Sequence, residues 1–235
     1  MKKREIVNNI TPIKDPEIKC DYDNVYPPSD DTYLILDYFK KNLTNEYFDG
    51  LDMGTIKKIV DIGTGTGIIA IFLQLLTKKY LKFKPKIYAS DILQDSIDCA
   101  KINQGLNSIN NQITLIKSNL FESFPKSLNH SFNMIIFNPP YLPSSELVER
   151  NEKKIPIDHS WNGGPKGHEV FSHFLEEVKD FMHPKGCSIY YISSSRVNLD
   201  ELHDIIEKNG FSNMVINKNH VFFEDIILNK LNLLT

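Results

Sequence analysis

The sequence has little cysteine, little arginine and no long apolar run. Its three cysteines, Cys20, Cys99 and Cys187, are far apart and form no C-x-x-C pair. That count and spacing argue against a disulfide framework or a zinc site built from this chain alone. They suit a reducing compartment, so the expected location is the cytoplasm. No apolar stretch reaches the roughly 18 residues a membrane span needs. No signal peptide is visible either, because the basic start Met1-Lys2-Lys3-Arg4 is not followed by an apolar segment. Lysine heavily outnumbers arginine, the better reader of phosphate and base edges, and the net charge is -3. Both facts lean away from nucleic acid as a required partner. His168 and His173 lack the H-E-x-x-H spacing of a helical zinc site and read as structural or solvated. The lysines at 78, 79, 82, 84 and 86 read as a solvated face. There is no internal repeat.

What is present suits one α/β domain. The 235 residues are 41% hydrophobic and 24% charged, enough to bury a full core without disulfides or metal. Residues 1–24 mix charge and proline without period and read as an N-terminal arm or cap; residues 25–235 read as the domain. A helical pattern over 30–43 places Leu34, Ile35, Tyr38 and Phe39 on one face, with Ser29, Asp30 or Asp31 able to cap it. Strands are expected at 57–62, 86–90, 112–117, 132–137 and 187–193, and helices at 68–79, 94–106, 168–182 and 199–209. Two closing strands, 214–217 and 221–228, flank a connection at Lys218-Asn219-His220. Such alternation implies right-handed βαβ units, a mainly parallel sheet and helices on both faces. The closing hairpin makes one strand antiparallel. The aperiodic stretch between Asn138 and His168 is long for a structureless loop and is expected to be functional or mobile.

Asp61-Ile62-Gly63-Thr64-Gly65-Thr66-Gly67 follows the first of these strands and opens a helix. The dinucleotide fingerprint G-x-G-x-x-G fails, because its third glycine would fall on Ile68. Asp91, at the end of the second strand, can accept ribose hydroxyls, cap the next helix, or do both. Ser118-Asn119-Leu120-Phe121 follows the third strand, and the Asn119 amide oxygen can accept a hydrogen bond from an adenine amino group. Asn138-Pro139-Pro140-Tyr141 follows the fourth strand and is the most specific signal in the chain. The two prolines rigidify the turn and remove two N–H donors. The Asn138 side-chain oxygen and the Pro139 carbonyl remain as acceptors for the two N–H bonds of a planar NH2 group. They would hold its nitrogen in place while it attacks, with Tyr141 packed against the planar group.

The spacing G-x-G-x-G led by Asp61 resembles motif I of class I methyltransferases. Their fold is a Rossmann-like, seven-stranded, mostly parallel sheet with helices on both faces and one antiparallel strand. The resemblance implies S-adenosyl-L-methionine as cofactor. It gives Asp61 the cofactor's methionyl amino group, Gly63 and Gly65 the backbone room beside it, Asp91 the ribose, and Asn119 and Leu120 the adenine. N-P-P-Y occurs in amino-methyltransferases acting on adenine, on guanine and on glutamine side chains. The flanks narrow this. Residues 25–37, Val-Tyr-Pro-Pro-Ser-Asp-Asp-Thr-Tyr-Leu-Ile-Leu-Asp, resemble a segment of the HemK-type protein glutamine N5-methyltransferases, in the short archaeal and eukaryotic branch that modifies class 1 translation release factors. Pro27 and Asp30 depart from that branch's Val-Tyr-x-Pro-x-Glu-Asp-Thr-Phe pattern. Trp161-Asn162-Gly163-Gly164 and Gly167-His168-Glu169-Val170 are similar to it as well.

The resemblance implies that Tyr26 and Thr32 close over the cofactor and that the Trp161 loop shapes the glutamine entrance, though Trp161 equally reads as a core anchor. It also implies that the substrate is the glutamine of a release factor's Gly-Gly-Gln loop. A small zinc-binding activator protein would form a heterodimer with the chain and add a strand to its sheet. Adenine or guanine in nucleic acid is the alternative acceptor, and cofactor binding without catalysis is a third reading.

Overall fold

The computed structural model describes residues 13–144 and 161–234. One seven-stranded sheet organises them: β1 (Lys58–Ile62), β2 (Lys86–Asp91), β3 (Ile113–Lys117), β4 (Met134–Phe137), β5 (Ser188–Ser194), β6 (Phe211–Val221) and β7 (Glu224–Leu233). Their spatial order is β6-β7-β5-β4-β1-β2-β3. β1, β2, β3, β4 and β5 pair in parallel, and β7 runs antiparallel between β5 and β6. This is the mostly parallel sheet with one antiparallel strand that the alternation implied.

The period-2 alternation of the central strands divides two cores. On one face, Ile59, Ile87, Met134, Ile136, Tyr190 and Ile192 pack under helices α1 (Asp30–Lys41) and α2 (Ile68–Lys79). On the other, Val60, Ile135, Phe137, Ile189 and Tyr191 meet α4 (Glu169–Glu177) and α5 (Leu199–Lys208). All four residues of β4 are buried, as expected of a strand covered on both faces. α2 is buried almost all round from Ile68 to Thr77, the mark of an interior helix. α3 (Gln94–Leu106) follows β2.

Two sequence expectations need correction. The helix expected over 168–182 ends at Glu177, and a tight 3-10 turn, Val178–Asp180, replaces its last stretch. The chain then turns so that Phe132 can bridge to Met182. The final hairpin turns at Phe222–Phe223, not at Lys218-Asn219-His220. The polar trio looked like a connection, yet its charges belong to a ladder: Lys218 and His220 both reach Asp225 across the hairpin, at 2.6 and 2.8 Å.

Two features had no clear sequence signal. A short hairpin, Tyr47–Phe48 with Leu51–Asp52, turns on Asp49 and Gly50, both at positive φ. The Asp49 carboxylate accepts from Tyr38 Oη at 2.6 Å, from Lys230 Nζ at 2.7 Å and from Tyr190, tying α1 to β5 and β7. Burial pushes its carboxyl up, but these bonds together outweigh burial and hold it below the usual range. The described part of the N-terminal arm is a strap along α3. Asn107 brackets Glu17, and Asn103 Oδ1 accepts the Lys19 N–H at 2.9 Å. The aperiodic stretch expected to be functional or mobile falls partly on residues 145–160, outside the described residues. Among the described residues, no helix is long and apolar enough to cross a membrane.

Candidate active site

The sheet order reverses direction between β1 and β4, and the crevice outside the strand ends there is where α/β sheets bind ligands. A cavity of about 430 Å³ lies at that place. It draws together every residue expected to hold cofactor or substrate except Asp61. Gly63 and Gly65 come from the β1–α2 loop, Asp91 from β2, and Asn119 and Leu120 from the turn after β3. Tyr26 and Thr32 come from before and within α1. Asn138, Pro139, Pro140 and Tyr141 come from the turn after β4.

The half of the cavity expected to hold cofactor is built from backbone as much as from side chains. Gly67 sits at φ 83° at the start of α2, where a Cβ would stand 2.9 Å from the Ala100 Cβ. Glycine therefore both makes the turn and lets α3 press against it. Asp91 bridges the loop and α3: its Oδ2 accepts the Gly65 N–H and its Oδ1 the Leu93 N–H, each at 2.9 Å. It thus ties the loop and the helix start together while lining the cavity. Burial raises its pKa against those bonds. Asn103, fully buried, donates to the Thr66 carbonyl at 2.9 Å and so links the glycine loop to the arm.

Asp61 stands one layer back. It is 1% exposed and absent from the cavity wall, and its Oδ2 accepts the Thr64 hydroxyl at 2.6 Å. Burial pushes its pKa up to about 7 despite bonds from Thr64 and the Ala70 N–H, with the Asp91 charge adding to the rise. Asp61 shapes the loop through Thr64, which does line the cavity.

The half expected to take the acceptor is centred on Asn138. Its Oδ1 is buried and has no hydrogen-bond partner among the described residues. Such an acceptor is costly in a folded protein and calls for an explanation. Tyr141 donates from Oη to Asp31 Oδ2 at 3.2 Å, and burial, followed by the Asp31 charge, raises its pKa. Asp31 Oδ1 also accepts from the Thr32 N–H and hydroxyl, at 2.6 and 3.1 Å. Burial, with the Asp31 charge adding to it, holds the Tyr26 phenol up at about 12.

The Trp161 segment braces this turn. Leu142 donates to the Trp161 carbonyl at 2.9 Å, and Leu142–Pro143 pairs in parallel with Asn162–Gly164. A Cβ at Gly163 would lie 2.3 Å from the Gly167 oxygen and 2.7 Å from the Pro140 oxygen, so only glycine fits there. Trp161 itself lines the cavity, edge-on to Tyr26 at 5.0 Å, which decides between entrance and core anchor in favour of the cavity wall.

A family described as Methyltransferase small domain matches residues 40–154. The chain is 32% identical over 206 residues to a Methanocaldococcus jannaschii protein named as a protein N5-glutamine methyltransferase, across 87% of this chain and 89% of that one. This chain belongs to the HemK-type protein N5-glutamine methyltransferase family. It is also 29% identical over 210 residues to the eRF1 methyltransferase catalytic subunit mtq2 of Schizosaccharomyces pombe, covering 86% of each. The solved Mtq2–Trm112 complex of E. cuniculi, described as responsible for methylating the eRF1 translation termination factor, shares the fold. Its TM-score is 0.57 at 21% identity, covering 88% of this chain and 98% of that one.

This methyltransferase holds three site residues whose part the sequence did not reveal. Asp31 was read only as a cap, yet it falls on the buried face of α1 with Leu34 and Ile35, and an acid on an apolar stripe is a functional signal. Glu224 and Arg196 enter the wall from β7 and the loop after β5, with no local motif to mark them.

Proposed function

We propose that this methyltransferase carries a methyl group from S-adenosyl-L-methionine to the side-chain nitrogen of the glutamine in the Gly-Gly-Gln loop of a class 1 translation release factor. The observation that carries the reading is the buried Asn138 Oδ1, which has no partner among the described residues, on a residue of the cavity wall. A primary amide offers the N–H that this oxygen lacks.

The residues fit the cofactor. Among the described residues, the cavity wall carries four carboxylates, Asp30, Asp31, Asp91 and Glu224, against one guanidinium, Arg196. Such a wall favours a cationic sulfonium and disfavours a polyphosphate or a nucleic acid backbone. That is the physical ground for preferring glutamine over a nucleobase in RNA or DNA. Asp91 would hold the ribose, Asn119 and Leu120 the adenine, the Gly63–Gly65 loop the methionyl part, and Tyr26 and Thr32 would close over it.

When bound, the cofactor supplies an electrophilic methyl on sulfur. The chain supplies position and fixed dipoles. Asn138 Oδ1 and the Pro139 carbonyl each accept one N–H of the substrate amide, which fixes the nitrogen and assists its change toward tetrahedral geometry. Pro140 stiffens the turn. Tyr141, oriented by Asp31, packs against the amide plane. No ionised base is needed at the start, because the nitrogen's proton becomes acidic only after the methyl has arrived.

A small zinc-binding activator completes the proposal. In its favour, β3 ends the sheet with one edge unpaired among the described residues, and the neighbouring α3 exposes Ile102 and Leu106. Three free cysteines agree with a cytoplasmic site of action, where release factors work. The test is transfer of label from radiolabelled cofactor to a purified release factor, with and without the activator. Label that disappears when the Gly-Gly-Gln glutamine is changed supports the reading; no label, or label that survives that change, refutes it.

A further inference from the structure

The most exposed aromatic side chains among the described residues are Phe222 and Phe223, at 87% and 88%. They occupy the turn between β6 and β7, and Phe222 holds φ 52°. The turn overhangs the sheet. β7 pairs with β5 only from Ile226 to Leu231, so Val221, Phe222, Phe223 and Glu224 project beyond the last paired residues.

The projection is braced. Ser194 Oγ donates to Glu224 Oε2 at 2.6 Å, the Asp225 N–H donates to Ser195 Oγ at 2.9 Å, and the Ser195 N–H donates to the Asp225 carbonyl at 3.0 Å. Lys218 and His220 close on Asp225 from the other strand. Two large apolar rings are thus held out in water on a cross-linked support. Exposure of this size carries a solvation penalty that a second surface can relieve.

Their position names that surface. Val221, Phe222 and Glu224 reach the same cavity as Asn138. The Glu224 charge raises the pKa of both Tyr26 and Tyr141, which sets the hairpin beside the acceptor half. Asp91 and Asn119 lie across β4, on the β2–β3 side of the sheet. The tip therefore borders the cavity that a protein-borne acceptor has to reach. A neutral amide offers the cavity no charge by which to tell one protein's glutamine from another's, so choice of substrate needs contacts outside the cavity.

We propose that Phe222 and Phe223 are a docking wedge that seats in an apolar depression of the protein substrate beside its target glutamine loop. The inference rests on the protein-glutamine reading above. Aromatic anchors on rigid supports carry most of the energy of such contacts.

Phe223 does not line the cavity, so it isolates docking from chemistry. The experiment is steady-state transfer to an intact release factor, with the activator present, for wild type, Phe223→Ser, Phe223→Leu and the double variant F222S/F223S. The KM for release factor is expected to rise about tenfold in Phe223→Ser and further in the double variant, as for loss of buried aromatic area. In Phe223→Ser, kcat and the cofactor dissociation constant stay unchanged, and Phe223→Leu recovers most of the loss. Wild-type KM in both serine variants overturns the wedge. So does a fall in kcat or cofactor affinity in Phe223→Ser, which would make the tip a lid. So does a self-association of wild type abolished in Phe223→Ser with KM unmoved, which would assign the tip to a second copy. A wild type that labels no release factor overturns the protein-glutamine reading itself, a result distinct from all of these.

Discussion

Asn138→Ala should nearly abolish methyl transfer without harming the fold. The Asn138 Oδ1 is buried and unpartnered among the described residues. Leaving such an acceptor unmade costs about 1–3 kcal/mol. Removing it relieves that penalty and roughly offsets the packing lost with the amide, so unfolding free energy should stay within about 1 kcal/mol of wild type or rise. Transfer should behave oppositely. One pre-positioned polar group at a reacting centre is worth roughly 10²–10³ in rate. Phe137→Ala is the control: its ring is 2% exposed and packs 4.9 Å from Phe174, so truncation should cost about 3–5 kcal/mol of stability. Urea denaturation gives the stabilities, calorimetry the cofactor affinity and single-turnover labelling the chemistry. Cofactor affinity should be retained in Asn138→Ala. Transfer within threefold of wild type, or a stability loss beyond about 2 kcal/mol, would refute the assignment of Asn138 as a waiting acceptor.

Asp61→Asn tests the buried carboxyl. Its folded pKa of about 7 exceeds the ordinary 3.8, so between those values the fold binds more protons than the unfolded chain, and stability falls as pH rises. The variant's stability advantage should therefore grow by roughly 4 kcal/mol from pH 4 to pH 7 and level off above; a pH-independent difference would show that the carboxyl is not held up by burial. Gly163→Ala forces a Cβ to within 2.7 Å of the Pro140 oxygen, so the Asn138-Pro139-Pro140-Tyr141 turn must shift. kcat should fall about 100-fold with cofactor affinity little changed, and an unaltered kcat would contradict the brace. Asn103→Ala strands the Thr66 carbonyl and the Lys19 N–H together. Equilibrium unfolding should show a loss of roughly 2–4 kcal/mol, and a loss under 1 kcal/mol would mean that the strap contributes little.

Much of the fold was legible because its signals are local. The run Ile68 to Thr77 is apolar all round and becomes the interior helix; Met134 to Phe137 is apolar on both faces and becomes the central strand. The hairpin turn was misplaced because Lys218-Asn219-His220 has the composition of a loop, while the real turn holds two phenylalanines. Only contacts across the hairpin, the ladder from Asp225 to Ile227 and the ion pairs on Asp225, show that the polar trio belongs to a strand. The Asp49 clamp was illegible for the same reason, since its partners Tyr38, Tyr190 and Lys230 lie on three elements far apart in sequence.

The same distinction divides the site. Gly63, Gly65, Asp91 and Asn119 each end or follow a strand, so the cofactor half is written in short motifs at strand ends. The acceptor half is assembled from distant pieces: Asp31 of α1, Tyr141 after β4, Trp161 before α4, and Glu224 at the hairpin. Asp31 shows what this means for chemistry. Its two oxygens are divided between Thr32, on the cofactor side, and Tyr141, on the acceptor side. A carboxylate so divided would couple the two halves, because a shift of α1 on cofactor binding would move Tyr141, proposed above to pack against the substrate. Asp31→Asn keeps an acceptor for only one of those partners. It should therefore weaken the dependence of acceptor KM on cofactor concentration. An unchanged dependence would mean that the two halves of the cavity act independently.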